Sequence, residues 1–211
     1  MMMQADPSMT GPNTTGRAPR RSDDEARRSD DEARRAFAFR AIGSTVGLVG
    51  GTVFVLANRA QLPAPLPTVA LVAWAPLLVL AIWAVYLRRP RGRARGGAMD
   101  VTRPHRRAGL IYLLACAAMF AVIAAGRAVL EPAGFAQALP ALVAAAVGLH
   151  FIPFATAFGV RFFTLLGLTL AAIGSIGLLL GLTWSITAAP AAAVLAGATM
   201  IALIAANALR Y

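Results

Sequence analysis

The sequence predicts an all-α integral membrane protein, built as a six-helix bundle with its N- and C-termini in the cytoplasm. Composition indicates the class: of 211 residues, 58% are hydrophobic and 14% charged, and the mean hydropathy is +0.67. A water-soluble domain needs more polar groups to cover its surface. The positions of the charged residues indicate the number of helices, because they divide the chain into apolar segments of membrane-spanning length.

Each apolar segment is near the roughly 20 residues that a helix needs to cross a bilayer core. Charged residues bound the first four segments, whereas nothing between residues 162 and 209 is charged. At about 1.5 Å rise per residue that last stretch is long enough for two crossings, and the turn-forming TWSITAAP at 183–190 divides it. The predicted spans are 37–57, 67–87, 108–129, 138–160, 162–182 and 189–209.

The arginines predict the orientation and the membrane. All 20 basic residues are Arg, and an Ala/Arg/Gly-rich composition is typical of GC-rich bacterial genomes. With the N-terminus inside, every Arg except Arg59 and Arg127 faces the cytoplasm, as the excess of positive charge in cytoplasmic segments requires. We therefore expect a multi-pass protein of the bacterial plasma (inner) membrane.

Two polar segments complete the predicted organisation. Residues 1–36 contain an exact tandem repeat, SDDEARR at 22–28 and 29–35, and this mixed charge predicts a disordered cytoplasmic tail, with phosphorylation or partner binding at its serines as the alternative. The cytoplasmic loop 88–107 carries eight arginines, each of which attracts anionic lipid head groups by about 1 kcal/mol. Lipid is the predicted partner, and nucleic acid is not, because no aromatic or base-reading residues are interleaved.

Small residues predict where helices pack. Gly43, Gly47 and Gly51 share one face of the first span, and Gly177 and Gly181 share a face of the fifth. Such spacing lets helix backbones approach closely. We expect packing within the bundle, with a dimer face, and hence a homo-oligomer, as the alternative.

His150 is the most isolated polar residue, in the apolar stretch VGLHFIPFATAF at 147–158. It falls about twelve residues into the fourth span, near the bilayer midplane, and Pro153 removes a backbone donor beside it. We expect a structural histidine bonded to a hydroxyl or carbonyl of a neighbouring span. A ligand or proton site is the alternative, because ionisable groups inside membranes are often functional.

Arg127 and Glu131, four residues apart at the outer end of the third span, predict a local ion pair with the arginine reaching the interface. Arg127 is also the group we would expect to meet a small anion arriving from outside.

The sequence lacks the residues that several kinds of membrane-protein chemistry require. No Asp or Glu lies in the middle of a span, so the carboxylate relay of proton-coupled transport is missing. The chain has no HExxH, Walker loop or paired histidines for haem, and Cys116 is its single cysteine. We therefore expect no cofactor, no metal and no catalytic residue.

The segment GLHFIPFATAF resembles one found in an uncharacterised family of small multi-span bacterial inner-membrane proteins, in which G-L-H-F, a Pro and a small residue follow in this order. The resemblance covers about a dozen residues and implies no activity. GSIG at 174–177, together with His150, is similar to the serine and histidine of rhomboid-type intramembrane proteases, but the family motif is G-x-S-G and its Ser precedes the His. We expect no catalysis by Ser175.

These observations favour a membrane protein with a structural or accessory role. The alternative is a small-solute permease or channel with a polar site around His150. A cavity reaching His150 and lined by Thr156 or Thr164 would favour the permease, whereas a close-packed bundle would favour the structural role.

Overall fold

The structure is a computed structural model that describes residues 42–88, 108–158 and 160–210. The predicted tail at 1–36 and all of the basic loop except Arg88 lie outside these residues. The disordered tail and the lipid-binding loop therefore stay predictions. Within the described residues the chain is all α, with six helices long and apolar enough to cross a membrane. The predicted fold class and number of spans are confirmed.

The first hairpin joins α1 and α2. Helix α1 covers 42–58 and ends in a 3-10 turn, Arg59–Gln61. It stops because Leu62 precedes Pro63 and is extended, as a residue before proline prefers. Helix α2, Leu66–Ile82, has proline in its first turn, where no backbone donor is needed, and closes with a π-helical turn, Trp83–Leu87.

Two further hairpins follow. Helix α3 is Ala108–Leu130 and α4 is Leu139–Phe158, preceded by a 3-10 turn, Ala136–Ala138. Helix α5 is Arg161–Thr183 and α6 is Ala188–Arg210. Ser185 makes the last turn, because its side-chain oxygen bonds Thr187 Oγ1 at 2.9 Å and its carbonyl accepts the Ala188 N–H at 3.0 Å.

Helix α6 lies at the centre of the bundle. It buries eleven of its residues and packs against α2, α4 and α5, while the glycines of α1 also face it. Helix α3 reaches the rest of the bundle mainly through α4, whose most extensive contact is with α5. Small residues of α4, α5 and α6, together with the large side chains of Leu166, Leu170, Met200 and Ile201, therefore form the core. Large apolar side chains of α2 and α3 cover the outside.

Neighbouring helices are antiparallel, which defines two ends of the bundle. Thr45 bonds Tyr86 and Trp74 Nε1 donates to Thr52, so α1 and α2 run in opposite directions. We call the end that contains the turns after α1, α3 and α5 the Arg59 end. The other ends of the six helices form the Arg88 end, where Arg88 Nη1 donates to the Leu209 carbonyl at 2.5 Å. That contact joins the end of α2 to an unpaired carbonyl in the last turn of α6.

Candidate functional site

His150 lies halfway along α4, near the middle of the bundle. Its Nδ1 is 2.6 Å from the carbonyl oxygen of Val147. Because a carbonyl can only accept, Nδ1 carries the hydrogen, and in the neutral ring Nε2 is then an acceptor. Sequence reasoning expected a partner on a neighbouring span, and the structure instead provides one on the same helix, one turn earlier. Nε2 has no hydrogen-bond partner among the described residues.

Aromatic rings surround the half-buried imidazole. The centroids of Phe151 and Phe154 lie 4.3 and 5.7 Å from it, and Tyr112 of α3 meets Phe154 edge-on at 4.8 Å. Phe163 of α5 stacks on Phe151 with centroids 5.9 Å apart. The histidine is therefore one member of an apolar cluster that joins α3, α4 and α5, where edge-to-face pairs add favourable contacts.

The groups around Pro153 are bonded within the same helix. Thr156 donates its hydroxyl to the Pro153 carbonyl at 2.8 Å, and Thr164 is exposed at the start of α5. Two grooves on the described surface, one beside Trp184 and one between α1 and α4, are lined by other residues and do not include His150. The residues that would have lined a solute cavity thus lie elsewhere than in these grooves.

Arg127 and Glu131 form an ion pair at the Arg59 end of the bundle. Arg127 Nε lies 2.7 Å from Glu131 Oε1, and both side chains are exposed, at 68% and 40%. An exposed pair of this kind contributes about 0.3 to 0.5 kcal/mol. The structure therefore places these two residues together at the surface. They precede His150 in the sequence by 23 and 19 residues.

The predicted packing glycines fall into two groups. A Cβ at Gly51 would lie 2.8 Å from the carbonyl of Gly197 in α6, and one at Gly47 would meet Ile204. Gly177 and Gly181 face Ala192 and Ala189 of α6 in the same way. Gly43, by contrast, has no atom of the described residues within 4 Å of a Cβ built on it. Within the described part of the chain, the glycine face of α1 therefore contacts α6 at Gly47 and Gly51.

The tightest helix crossing, between α4 and α5, was missed by sequence reasoning. A Cβ at Gly174 would stand 2.7 Å from the Cα of Ala145 and 2.8 Å from the Ala141 carbonyl. One at Gly148 would fall on the backbone of Ala171, and one at Gly167 would lie 2.8 Å from the Gly148 carbonyl. The signal was present, because glycine recurs every seven residues at 167, 174 and 181.

Ser175 follows Gly174 but is exposed on the outer side of α5. Nε2 of His150 has no hydrogen-bond partner among the described residues, so the two residues are not joined in the way a nucleophile and its base would be.

A lateral groove between α1 and α4 is a feature that sequence reasoning did not find. It has a volume of about 470 Å³. Asn58 lines its polar end, is 9% exposed, and donates from Nδ2 to the Phe54 carbonyl at 2.8 Å. The next residue, Arg59, has a buried Nε with no hydrogen-bond partner among the described residues. The groove is lined by Gly50, Val53, Phe54, Asn58, Leu139, Pro140, Val143 and Val147.

No group of three or more His, Cys, Asp or Glu side chains that could hold a metal ion occurs in residues 42–88, 108–158 and 160–210. Comparison with protein-family models, curated proteins and solved structures finds no match to this chain.

Proposed function

We propose that this protein is a multi-pass component of the bacterial plasma membrane with a structural or accessory role, and that both its termini are cytoplasmic. The observation that carries the role is the close packing of the core, in which the backbones of α4 and α5 meet at Gly148 and Gly174. A solute pathway needs space between helices at the membrane midplane. Direct backbone contact at that depth favours a rigid bundle instead.

The charge distribution supports the orientation. Arg88, Arg161 and Arg210 lie at the Arg88 end of the bundle, and the sequence adds seven more arginines in the loop that follows Arg88. The opposite end has Arg59 and Arg127, and Arg127 is neutralised by Glu131. Arginine-rich segments stay in the cytoplasm during insertion, so the Arg88 end is proposed to face inward.

Reporter fusions test the orientation. A reporter active only outside the cytoplasmic membrane is expected to be active after residues 62, 134 or 186, and inactive after 96 or 211. Position 96 is decisive because it lies among the arginines. Activity at 96 would overturn the proposed orientation, whereas activity at 62 alone would show that the later hairpins are inserted differently.

A small-solute permease with a polar site at His150 is the second candidate. The observation in its favour is Nε2, an imidazole acceptor with no partner among the described residues. A solute that donates a hydrogen bond would give Nε2 a partner, as polar groups within membranes usually have one.

Solute flux separates the two roles. The purified chain is reconstituted in vesicles, and the rates of entry of glycerol, urea and chloride are compared with those of protein-free vesicles. The structural role predicts equal rates, because the backbones of α4 and α5 meet in the core. A rate increase that His150→Leu abolishes, in protein that keeps its helical content, would replace the proposal with the permease.

A further inference from the structure

The groove between α1 and α4 has one polar and one apolar end. Its walls are single helix faces, with Gly50 to Asn58 on α1 and Leu139 to Val147 on α4. Each wall covers eight residue steps, which is about 12 Å at 1.5 Å per residue. Apart from Asn58, every side chain in these walls is apolar. The groove opens sideways between two helices, towards the surrounding lipid.

The length of the groove matches the depth of one lipid leaflet. The hydrocarbon core of a bilayer is about 30 Å thick, so one leaflet contributes about 15 Å. The polar end coincides with the end of α1, where Asn58 and Arg59 give way to the α1–α2 turn. An acyl chain lying in the groove would therefore have its head group beside Asn58 and Arg59.

Arg59, which follows Asn58 at the polar end of the groove, carries a positive charge that no described carboxylate compensates. Arg59 makes no ion pair among the described residues, and its Nε is buried without a hydrogen-bond acceptor. A buried unpaired donor is costly, and it is most costly when it belongs to a charged group. Phosphate is the acceptor that guanidinium groups bind best, through charge-assisted bonds. Asn58 keeps one amide hydrogen for an ester carbonyl, since Phe54 takes the other.

From this geometry we propose that the groove is a binding site for an anionic phospholipid of the bilayer. One acyl chain lies between Val53 and Val143, and the phosphate is bound by Arg59 with Asn58 beside it. The site is separate from the basic 88–107 loop, because it lies at the opposite end of the bundle.

Photo-crosslinking in reconstituted vesicles tests this site. The full chain is placed in phosphatidylcholine vesicles that contain a trace of lipid with a photoactivatable acyl chain, carried on phosphatidylglycerol or on phosphatidylcholine. Mass spectrometry of the labelled peptides then gives the yield at Val53 and Val143 for each head group. Because the readout is local, the arginines of the 88–107 loop do not contribute to it.

The wild type is expected to show a higher yield in the groove for phosphatidylglycerol than for phosphatidylcholine. Arg59→Gln should lower this ratio about fivefold, the effect of one arginine on an anionic lipid. Arg59→Lys, which keeps the charge, should retain most of the ratio. Arg127→Gln is the matched control, since Arg127 lies at the same end but is paired with Glu131, and it should leave the ratio unchanged.

Substitutions that fill the groove with a larger side chain provide an independent test of the proposal. Val143→Phe should lower the yield at Val53 for both lipids, with Val53→Phe and detection at Val143 as the reciprocal variant if the first does not fold. The proposal is overturned if Arg59→Gln and Arg127→Gln act equally, or if filling the groove leaves the yield unchanged. Wild-type protein in which neither valine is labelled would also overturn it, because no lipid acyl chain would then lie in the groove.

Discussion

Helices α3 and α5 are alike in sequence terms and differ in their place in the bundle. Each has 23 residues, each packs on α4, and α3 is at least as apolar as α5. Yet α5 buries seven residues, whereas α3 buries two, Ala108 and Ala115. Four of the seven in α5 are glycines, at positions 167, 174, 177 and 181.

The difference shows what sorts helices inside a membrane. Lipid tails are as apolar as leucine, so apolarity does not drive one helix to the interior and leave another at the surface. Close approach does, because packing contacts gain energy only when backbones and side chains meet over a large area. Glycine and alanine allow that approach along α5. The faces of α3 carry Leu110, Leu113 and Phe120, which stay exposed.

The largest predicted effect is at the α4–α5 crossing. Gly174→Leu is expected to lower the free energy of unfolding by about 3 kcal/mol or more, because the new side chain overlaps the backbone of Ala145. Reversible unfolding in mixed micelles, followed by circular dichroism, measures the change. Gly109→Leu in α3 is the control, since no atom of the described residues lies within 4 Å of a Cβ built there, and it should be nearly neutral. Equal losses would mean that α5 is not packed more tightly than α3.

An intermediate effect is predicted for a matched pair of leucines. Leu170 of α5 is fully buried and Leu113 of α3 is 64% exposed. Leu170→Ala should cost about 2 kcal/mol, because it leaves a cavity and removes packing contacts. Leu113→Ala should change the free energy of unfolding by less than about 0.5 kcal/mol. If the two variants were equally stable in the same unfolding assay, the buried and exposed faces assigned to these helices would be wrong.

The smallest effect is predicted for His150, which lies on α4, the helix that packs against both α3 and α5. His150→Leu removes the hydrogen bond to Val147 and should cost about 1 kcal/mol. His150→Gln keeps a donor and should change the free energy of unfolding by less than half as much. A larger loss in the glutamine variant than in the leucine variant would show that apolar contact beside Phe151 matters more than the hydrogen bond.

Sequence reasoning located the helices better than it located their contacts. The six spans follow from charged residues and turn signals. Within the described residues the largest difference lies in the second span, where the α-helix ends at Ile82 and a π-helical turn, Trp83–Leu87, continues to the predicted end at 87. The expected partner of His150 was wrong because its imidazole reaches a backbone carbonyl one turn earlier on the same helix and needs no neighbouring span. The groove was missed because neither Arg59 nor Val143 is unusual in a helix considered alone.

By itself the sequence determined the class of the protein, its six crossings and the end of the bundle that carries most arginines. These depend on transfer between water and lipid, which acts on each segment separately. Only the tertiary structure decided that α6 is central, that α4 and α5 meet at Gly148 and Gly174, and that Asn58 lines a groove. These features depend on which faces of different helices meet, and that is settled by shape complementarity among segments that are equally apolar.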